Sequence, residues 1–319
     1  MADYDVFNGD ADGICALLQL RLAEPREATL ITGVKRDINL LAKFDAAAGD
    51  RLTVLDISMD KNNAALVAAL ERGAKVQYFD HHFPGDIPEH NKLTATIDTD
   101  AEVCTGLLVN RHLNNQFLPW AVTAAFGDNL HSAAIAAAGP LQLNDAQLAE
   151  LDVLGTLLNY NGYGATVDDL FFAPDALFKA LLPYPDPFEF IKSDSTFAKL
   201  KEGYASDMAN AKAIDPHFAS DDCAMFMFPQ ASWSRRVGGV YGNELARDYP
   251  DRAHALLSEI ENNAYQVSVR APINRREGAD ELCRQFATGG GRKAAAGINQ
   301  LPEAEVDNFL QAFRTQFAI

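Results

Sequence analysis

The feature that most limits how this chain can fold is the position of its acids. Three short apolar runs in the first third each end on polar or acidic residues. Tyr4-Asp5-Val6-Phe7 leads into Asn8-Gly9-Asp10-Ala11-Asp12-Gly13, Leu52-Thr53-Val54-Leu55 into Asp56, and Val76-Gln77-Tyr78-Phe79 into Asp80. Short apolar runs bounded by turn residues read as buried strands. Residues 29–32 read as a further strand, and the segments 14–22 and 62–71 as helices. Strands alternating with helices need crossover connections, which predicts an α/β domain built on a mostly parallel sheet covered on both faces. The acids then collect at the carboxyl ends of the strands, where open α/β sheets place their ligands.

A chain of 319 residues is long enough for two domains, and 48% hydrophobic with 22% charged residues is an ordinary globular composition. From Gly106 to about residue 158 the pattern is mainly helical. Pro183, Pro185 and Pro187 break regular structure, and residues 193–213 read as a polar helical connector. Strand-like segments return at 223–228 and 266–270, with helices expected at 243–248, 279–286 and 303–317. No apolar run approaches the ~20 residues of a membrane span. The opening Met1-Ala2-Asp3-Tyr4-Asp5 lacks the basic region of a signal peptide, and the four cysteines (Cys15, Cys104, Cys223, Cys283) form no C-x-x-C pair. The expectation is a cytoplasmic protein without a membrane partner. With 27 Lys+Arg against 44 Asp+Glu, the formal charge of −17 disfavours long polyanions such as duplex DNA, whose binding depends on cationic side chains displacing counterions.

A carboxylate at the end of a buried strand is costly unless it is paired or bound to metal. Asp80 is followed directly by His81 and His82, and Asp128 closes another apolar stretch, Ala125-Phe126-Gly127-Asp128-Asn129. Capping acids and a solvated histidine pair would explain any one of these places; all four together point to a divalent-cation site. Carboxylates with one or two imidazoles suit Mn²⁺ better than a thiolate-type zinc site.

In order and type, these residues resemble the DHH phosphoesterases, a family of RecJ-like exonucleases, oligoribonucleases and phosphodiesterases of cyclic or linear dinucleotides. Gln266-Val267-Ser268-Val269-Arg270 and Gly289-Gly290-Gly291-Arg292-Lys293-Ala294-Ala295-Ala296-Gly297 resemble the family's associated substrate-binding domain. The resemblance implies a DHH catalytic domain at 1–190, a helical linker at 191–215 and a smaller α/β substrate-binding domain at 216–319. It implies two divalent ions, Mn²⁺ with Mg²⁺ or Co²⁺ as alternatives, held by Asp10, Asp56, His81 and Asp128, with Asp56 bridging. Asp80 would join or orient the cluster, His82 would contact substrate phosphate, and Asp12 would be a supporting acid or ligand. Two positions depart from the family pattern. Asn8 stands where an aspartate is usual, and offers only a neutral carbonyl oxygen. Arg292 stands where the Gly-Gly-His pattern has histidine, and a guanidinium can grip phosphate bidentately.

The glycine run reads as a loop that brings backbone N–H groups close to an anion, with Lys293 and Arg270 adding charge. Asn159-Tyr160-Asn161-Gly162-Tyr163-Gly164 reads as a polar turn or a base-stacking segment, and Arg235 and Arg236 as further basic charge. The expected substrate is a short oligonucleotide or linear dinucleotide such as pGpG or pApA, cut to mononucleotides. A RecJ-like single-strand exonuclease and a catalytically impaired nucleotide-binding regulator are the alternatives. A homodimer is compatible with the sequence.

Overall fold

The computed structural model describes residues 1–318, and the chain divides into two compact units, 1–202 and 203–319. In the first, the apolar runs form β1 (Asp3–Phe7), β3 (Arg51–Leu55) and β4 (Lys75–Asp80). They are joined by β2 (Thr29–Ile31) and β5 (Leu93–Ile97) in a five-stranded, all-parallel sheet of order β2-β1-β3-β4-β5. The chain passes from β1 to β2 on one side and then returns to place β3 on the other. That reversal opens a crevice at the carboxyl ends of β1 and β3. Helix α2 (Met59–Arg72) packs Leu66 and Leu70 against Val6, Leu52, Val54, Val76 and Tyr78 on one face.

The other face carries α1 (Ala11–Ala23), which is almost wholly buried, its polar Asp12, Gln19 and Arg21 each hydrogen-bonded inside the protein. α3 (Thr105–His112), α4 (Leu118–Gly127), α5 (His131–Ala138) and α6 (Asp145–Asn161) follow, as the helical pattern predicts. Gly127 ends α4 where a β-carbon would come within 2.3 Å of the Ala11 Cβ, so only glycine lets α4 deliver Asp128 beside the start of α1. Helices α7 (Pro174–Leu181) and α8 (Pro187–Ser193) each begin at a proline, tolerated in a first turn. The expected polar connector is α9 (Ser195–Lys212), which runs across the division between the units.

The second unit is a six-stranded mixed sheet of order β10-β11-β9-β8-β7-β6. Its strands are β6 (Phe218–Ala219), β7 (Cys223–Phe228), β8 (Ala253–Ile260), β9 (Ala264–Arg270), β10 (Gly289–Arg292) and β11 (Ala295–Pro302). α10 (Ser232–Asp248), α11 (Ala279–Cys283) and α12 (Val306–Phe317) complete it, with Phe309, Phe313 and Phe317 of α12 in the core. The glycine run is therefore an edge strand rather than a loop. A β-carbon on Gly289 would lie 1.8 Å from the Cys283 carbonyl oxygen, so close packing against α11 already requires glycine there. Among the described residues, no helix is long and apolar enough to cross a membrane.

Candidate metal centre

The carboxyl ends of β1, β3 and β4 are neighbours in the sheet, spaced by the ~4.8 Å strand repeat, so whatever follows each strand must share one small volume. Asp10 caps α1 and accepts a hydrogen bond from the Gly13 N–H at 3.1 Å. Asp12, in the first turn of the same helix, is buried and accepts from the Thr105 and Gly106 N–H groups at 2.8 and 2.7 Å. It thereby caps α3 and ties the two helices together. Asp56 takes the left-handed backbone conformation (φ 57°), and its turn is pinned by the buried Tyr78 hydroxyl, which donates to the Ile57 carbonyl at 2.7 Å. That conformation is uncommon for a residue other than glycine, and here it marks the end of β3 at the crevice.

The two histidines are oriented by their hydrogen bonds. His81 donates Nδ1–H to the Val103 carbonyl at 2.9 Å, which leaves Nε2 as the ring nitrogen available to a metal ion. That nitrogen lies 3.5 Å from Asp56, 3.7 Å from Asp128 and 3.9 Å from Asp12. These spacings are too long for good hydrogen bonds but match two ligands sharing one ion at about 2.1 Å each. Two groups of side chains with metal-binding atoms lie together, Asp56-His81-His82 and Asp12-His81-Asp128, although His82 is committed to Asp80 through Nδ1. His82 donates Nδ1–H to Asp80 at 2.7 Å, and Asp80 also accepts the His81 N–H at 2.9 Å. Asp80 thus positions both rings.

The charge balance shows what the cluster lacks. Burial, followed by Asp12, Asp10, Asp128 and Asp80, pushes the Asp56 carboxyl well above its ordinary value. Burial and then Asp12 push Asp128 up to about 6, with Lys35 acting the other way. Burial would also raise Asp10, but the Lys35 ammonium outweighs it and holds Asp10 below the usual range. For His82, burial acts to lower the value, and the hydrogen bond and charge of Asp80 overcome it, so the ring holds its proton more tightly than free histidine. The Asn8 Oδ1 and the second oxygen of Asp80 are buried without a hydrogen-bond partner. Crowded carboxylates, an available imidazole nitrogen and orphaned oxygens fit a divalent-ion site.

Because Asp128 titrates higher in the folded chain than its ordinary 3.8, the stability it lends falls as pH rises from about 4 through 6 in the absence of metal. Asp128→Asn is expected to raise the melting temperature of metal-stripped protein by about 5 °C at pH 7.5 and by only about a third as much at pH 4.5. Differential scanning fluorimetry in chelator checks this, and an equal gain at both pH values would place the effect elsewhere. At Asn8, whose amide donates only a long 3.4 Å bond to the Lys35 carbonyl, Asn8→Asp should tighten Mn²⁺ binding about tenfold. A calorimetric titration showing unchanged affinity would put Asn8 outside the ligand set.

Sequence reasoning missed Lys35. Its Nζ lies 2.5 Å from Asp10, 2.7 Å from the Asn159 Oδ1 and 3.9 Å from Asp128, and sits 5.8 Å from the centre of the Tyr163 ring. The available signal was topological: Lys35 follows β2, another strand whose carboxyl end faces this side. It also missed Thr105, whose hydroxyl donates to Asp56 at 3.3 Å.

Arg270 is engaged within its own unit: it donates to Asn243 at 2.6 Å, Ser268 at 3.0 Å and the Gly239 carbonyl at 3.2 Å, clamping β9 to α10. Gly289, Gly290 and Gly291 pair with β11, and Arg292 and Lys293 are exposed at the hairpin end, Lys293 lying 3.9 Å from Glu277. Arg236 is not surface charge. It is buried, with its guanidinium on Asp207 at 2.7 Å.

No protein-family model and no curated protein matches this sequence. Solved structures do. The chain is similar to the exonuclease RecJ bound to manganese (17% identity, TM-score 0.64, covering 98% of this chain and 89% of that one). It is similar to RecJ of Thermus thermophilus in complex with Mn²⁺ (18% identity, TM-score 0.67), of which it spans about half the length, 98% of this chain against 51% of that one. It is also similar to the pGpG-specific phosphodiesterase PggH of Vibrio cholerae (14% identity, TM-score 0.56, covering 99% and 98%). The fold is therefore the one that the DHH resemblance implies, and both kinds of neighbour are DHH phosphoesterases.

Proposed function

We propose that this protein is a metal-dependent phosphodiesterase that hydrolyses short linear oligonucleotides or dinucleotides, such as pGpG or pApA, to mononucleotides. The observation that carries this reading is the available Nε2 of His81 set 3.5–3.9 Å from three buried or half-buried carboxylates at the switch point of a parallel sheet. Asp10, Asp12, Asp56, His81 and Asp128 would hold two divalent ions, Mn²⁺ first among them, with Asn8 and Asp80 completing or orienting the set. Such ions acidify a bound water and neutralise phosphate oxygens during in-line displacement.

The chain's own residues supply orientation and charge. Asp80 fixes the His82 ring through Nδ1, and the ring's other nitrogen remains as a donor on a side chain that is 45% exposed. An imidazole biased toward its protonated form suits contact with an anionic phosphate. Arg292 and Lys293 are the exposed cations of the second unit proposed to hold a substrate's far phosphate or base edge; Gly289–Gly291 and Arg270 support that hairpin.

The test is incubation of the full chain with labelled pGpG and pApA and Mn²⁺, with an EDTA control. Metal-dependent release of mononucleotides is the expected result. Binding without turnover would move the protein to the regulator reading that Asn8 favours. The likeness to RecJ keeps a single-strand exonuclease as the second enzymatic reading.

A further inference from the structure

Lys35 is not a surface lysine that happens to lie near acids. Its backbone N–H donates to the Gly162 carbonyl at 2.9 Å, its carbonyl accepts from Asn8, and its ammonium is shared between Asp10 and Asn159. Among the described residues it is the one lysine or arginine paired with any of Asp10, Asp12, Asp56, Asp80 or Asp128. Asp10 has donors on both oxygens. One accepts the Gly13 N–H, which the start of α1 fixes in place, and the other accepts Lys35 at 2.5 Å. A divalent ion cannot share that second oxygen's approach with an ammonium, because the two cations repel at contact distance. Asn159, a neutral acceptor, gives the ammonium somewhere to stay when Asp10 is taken.

We propose that Lys35 is a built-in competitor for the divalent ion at Asp10: it neutralises the carboxylate cluster when metal is absent, gives up Asp10 when metal enters, and so weakens one of the two metal positions. The inference rests on the phosphodiesterase reading only in taking the cluster to be a metal site. A tethered cation of this kind keeps the metal-free protein folded and makes occupancy of the weaker position respond to the concentration of free ion.

The test uses metal-stripped full-length protein titrated with Mn²⁺, following the free aquo ion by electron paramagnetic resonance. Lys35→Met is expected to tighten the weaker binding step about tenfold or more, while Lys35→Arg, which keeps the cation, stays near wild type. If metal-free Lys35→Met does not fold, the same affinities are read by back-titrating Mn²⁺-loaded protein with EDTA. Unchanged or weaker binding in folded Lys35→Met overturns the proposal. So does equal tightening in Lys35→Arg, which would assign the effect to packing, or a failure of both wild type and Lys35→Met to bind Mn²⁺. No substrate enters the measurement, so a wild-type protein that binds Mn²⁺ yet leaves dinucleotides intact would remove the phosphodiesterase reading and leave this one standing.

Discussion

Asp56→Asn lowers Mn²⁺-dependent turnover by about 1,000-fold or more while leaving the chain folded, because it removes the proposed bridging carboxylate without changing the shape of the side chain. Asparagine is also one of the few residues at home in the left-handed conformation that position 56 adopts, whereas alanine there would add backbone strain to the loss of a ligand. The same substitution has a second expected effect of opposite benefit. Asp56 is an acid that burial and its four acidic neighbours push well toward the protonated form, so replacing it relieves repulsion in the metal-free cluster. The melting temperature in EDTA therefore rises, while the gain on adding Mn²⁺ shrinks. Dinucleotide hydrolysis at saturating Mn²⁺, with scanning fluorimetry in chelator and in metal, measures both. A folded Asp56→Asn protein with near-normal turnover would falsify the bridging role, and a lower melting temperature in EDTA would show that the acid is stabilised by something other than metal.

Much of the first unit was legible because its chemistry and its hydrophobic pattern coincide. The buried strands are built on Val, Leu, Phe or Tyr, and each leads into a buried acid, directly at Asp56 and Asp80 and after Asn8-Gly9 at Asp10, whose burial is intelligible beside a cation. The sequence left no comparable mark on β5, whose Leu-Thr-Ala-Thr-Ile lies half-exposed at the sheet edge. β10 and β11 were hidden for a different reason. Glycine and alanine have little intrinsic preference for strands, so the hairpin forms through pairing with β9 and packing on α11 rather than through local propensity. α10 begins eleven residues before the segment expected from sequence, since Gly238, Gly239 and Gly242 argue against a helix that burial of Val237, Tyr241 and Leu245 nonetheless secures. At the site, the carboxylates and histidines are visible as residue types. Lys35 is not: its role depends on β2 lying beside β1, a fact of topology. Arg270 and Arg236 show the converse. They read as surface charge, yet both are drawn inward by carbonyl, amide or carboxylate partners that sit far away in sequence.

Substrate length separates the two enzymatic readings. A single-strand exonuclease grips many phosphates, and each phosphate neutralised releases counterions, so its affinity falls steeply with salt. This chain carries a formal charge of −17, and of the basic residues expected to meet substrate in the second unit, Arg270 is committed to internal contacts. Arg292 and Lys293 remain at the end of the β10–β11 hairpin. Two cations hold one or two phosphates, which is the demand of a dinucleotide. Turnover is therefore expected to fall steeply from two nucleotides to about five and to be lowest on a thirty-nucleotide strand. Between 50 and 200 mM salt, KM for the dinucleotide should rise only about three- to sevenfold, against about 300-fold for a protein making six phosphate contacts. Arg292→Ala should raise KM about tenfold with kcat little changed, since it removes binding away from the reacting phosphate. Initial rates on the three lengths at both salt concentrations, with wild type and Arg292→Ala side by side, decide the matter. Faster turnover of the long strand with a steep salt dependence would assign the protein to the exonuclease reading. An unchanged KM in Arg292→Ala would leave the length limit to the metal centre and Lys293.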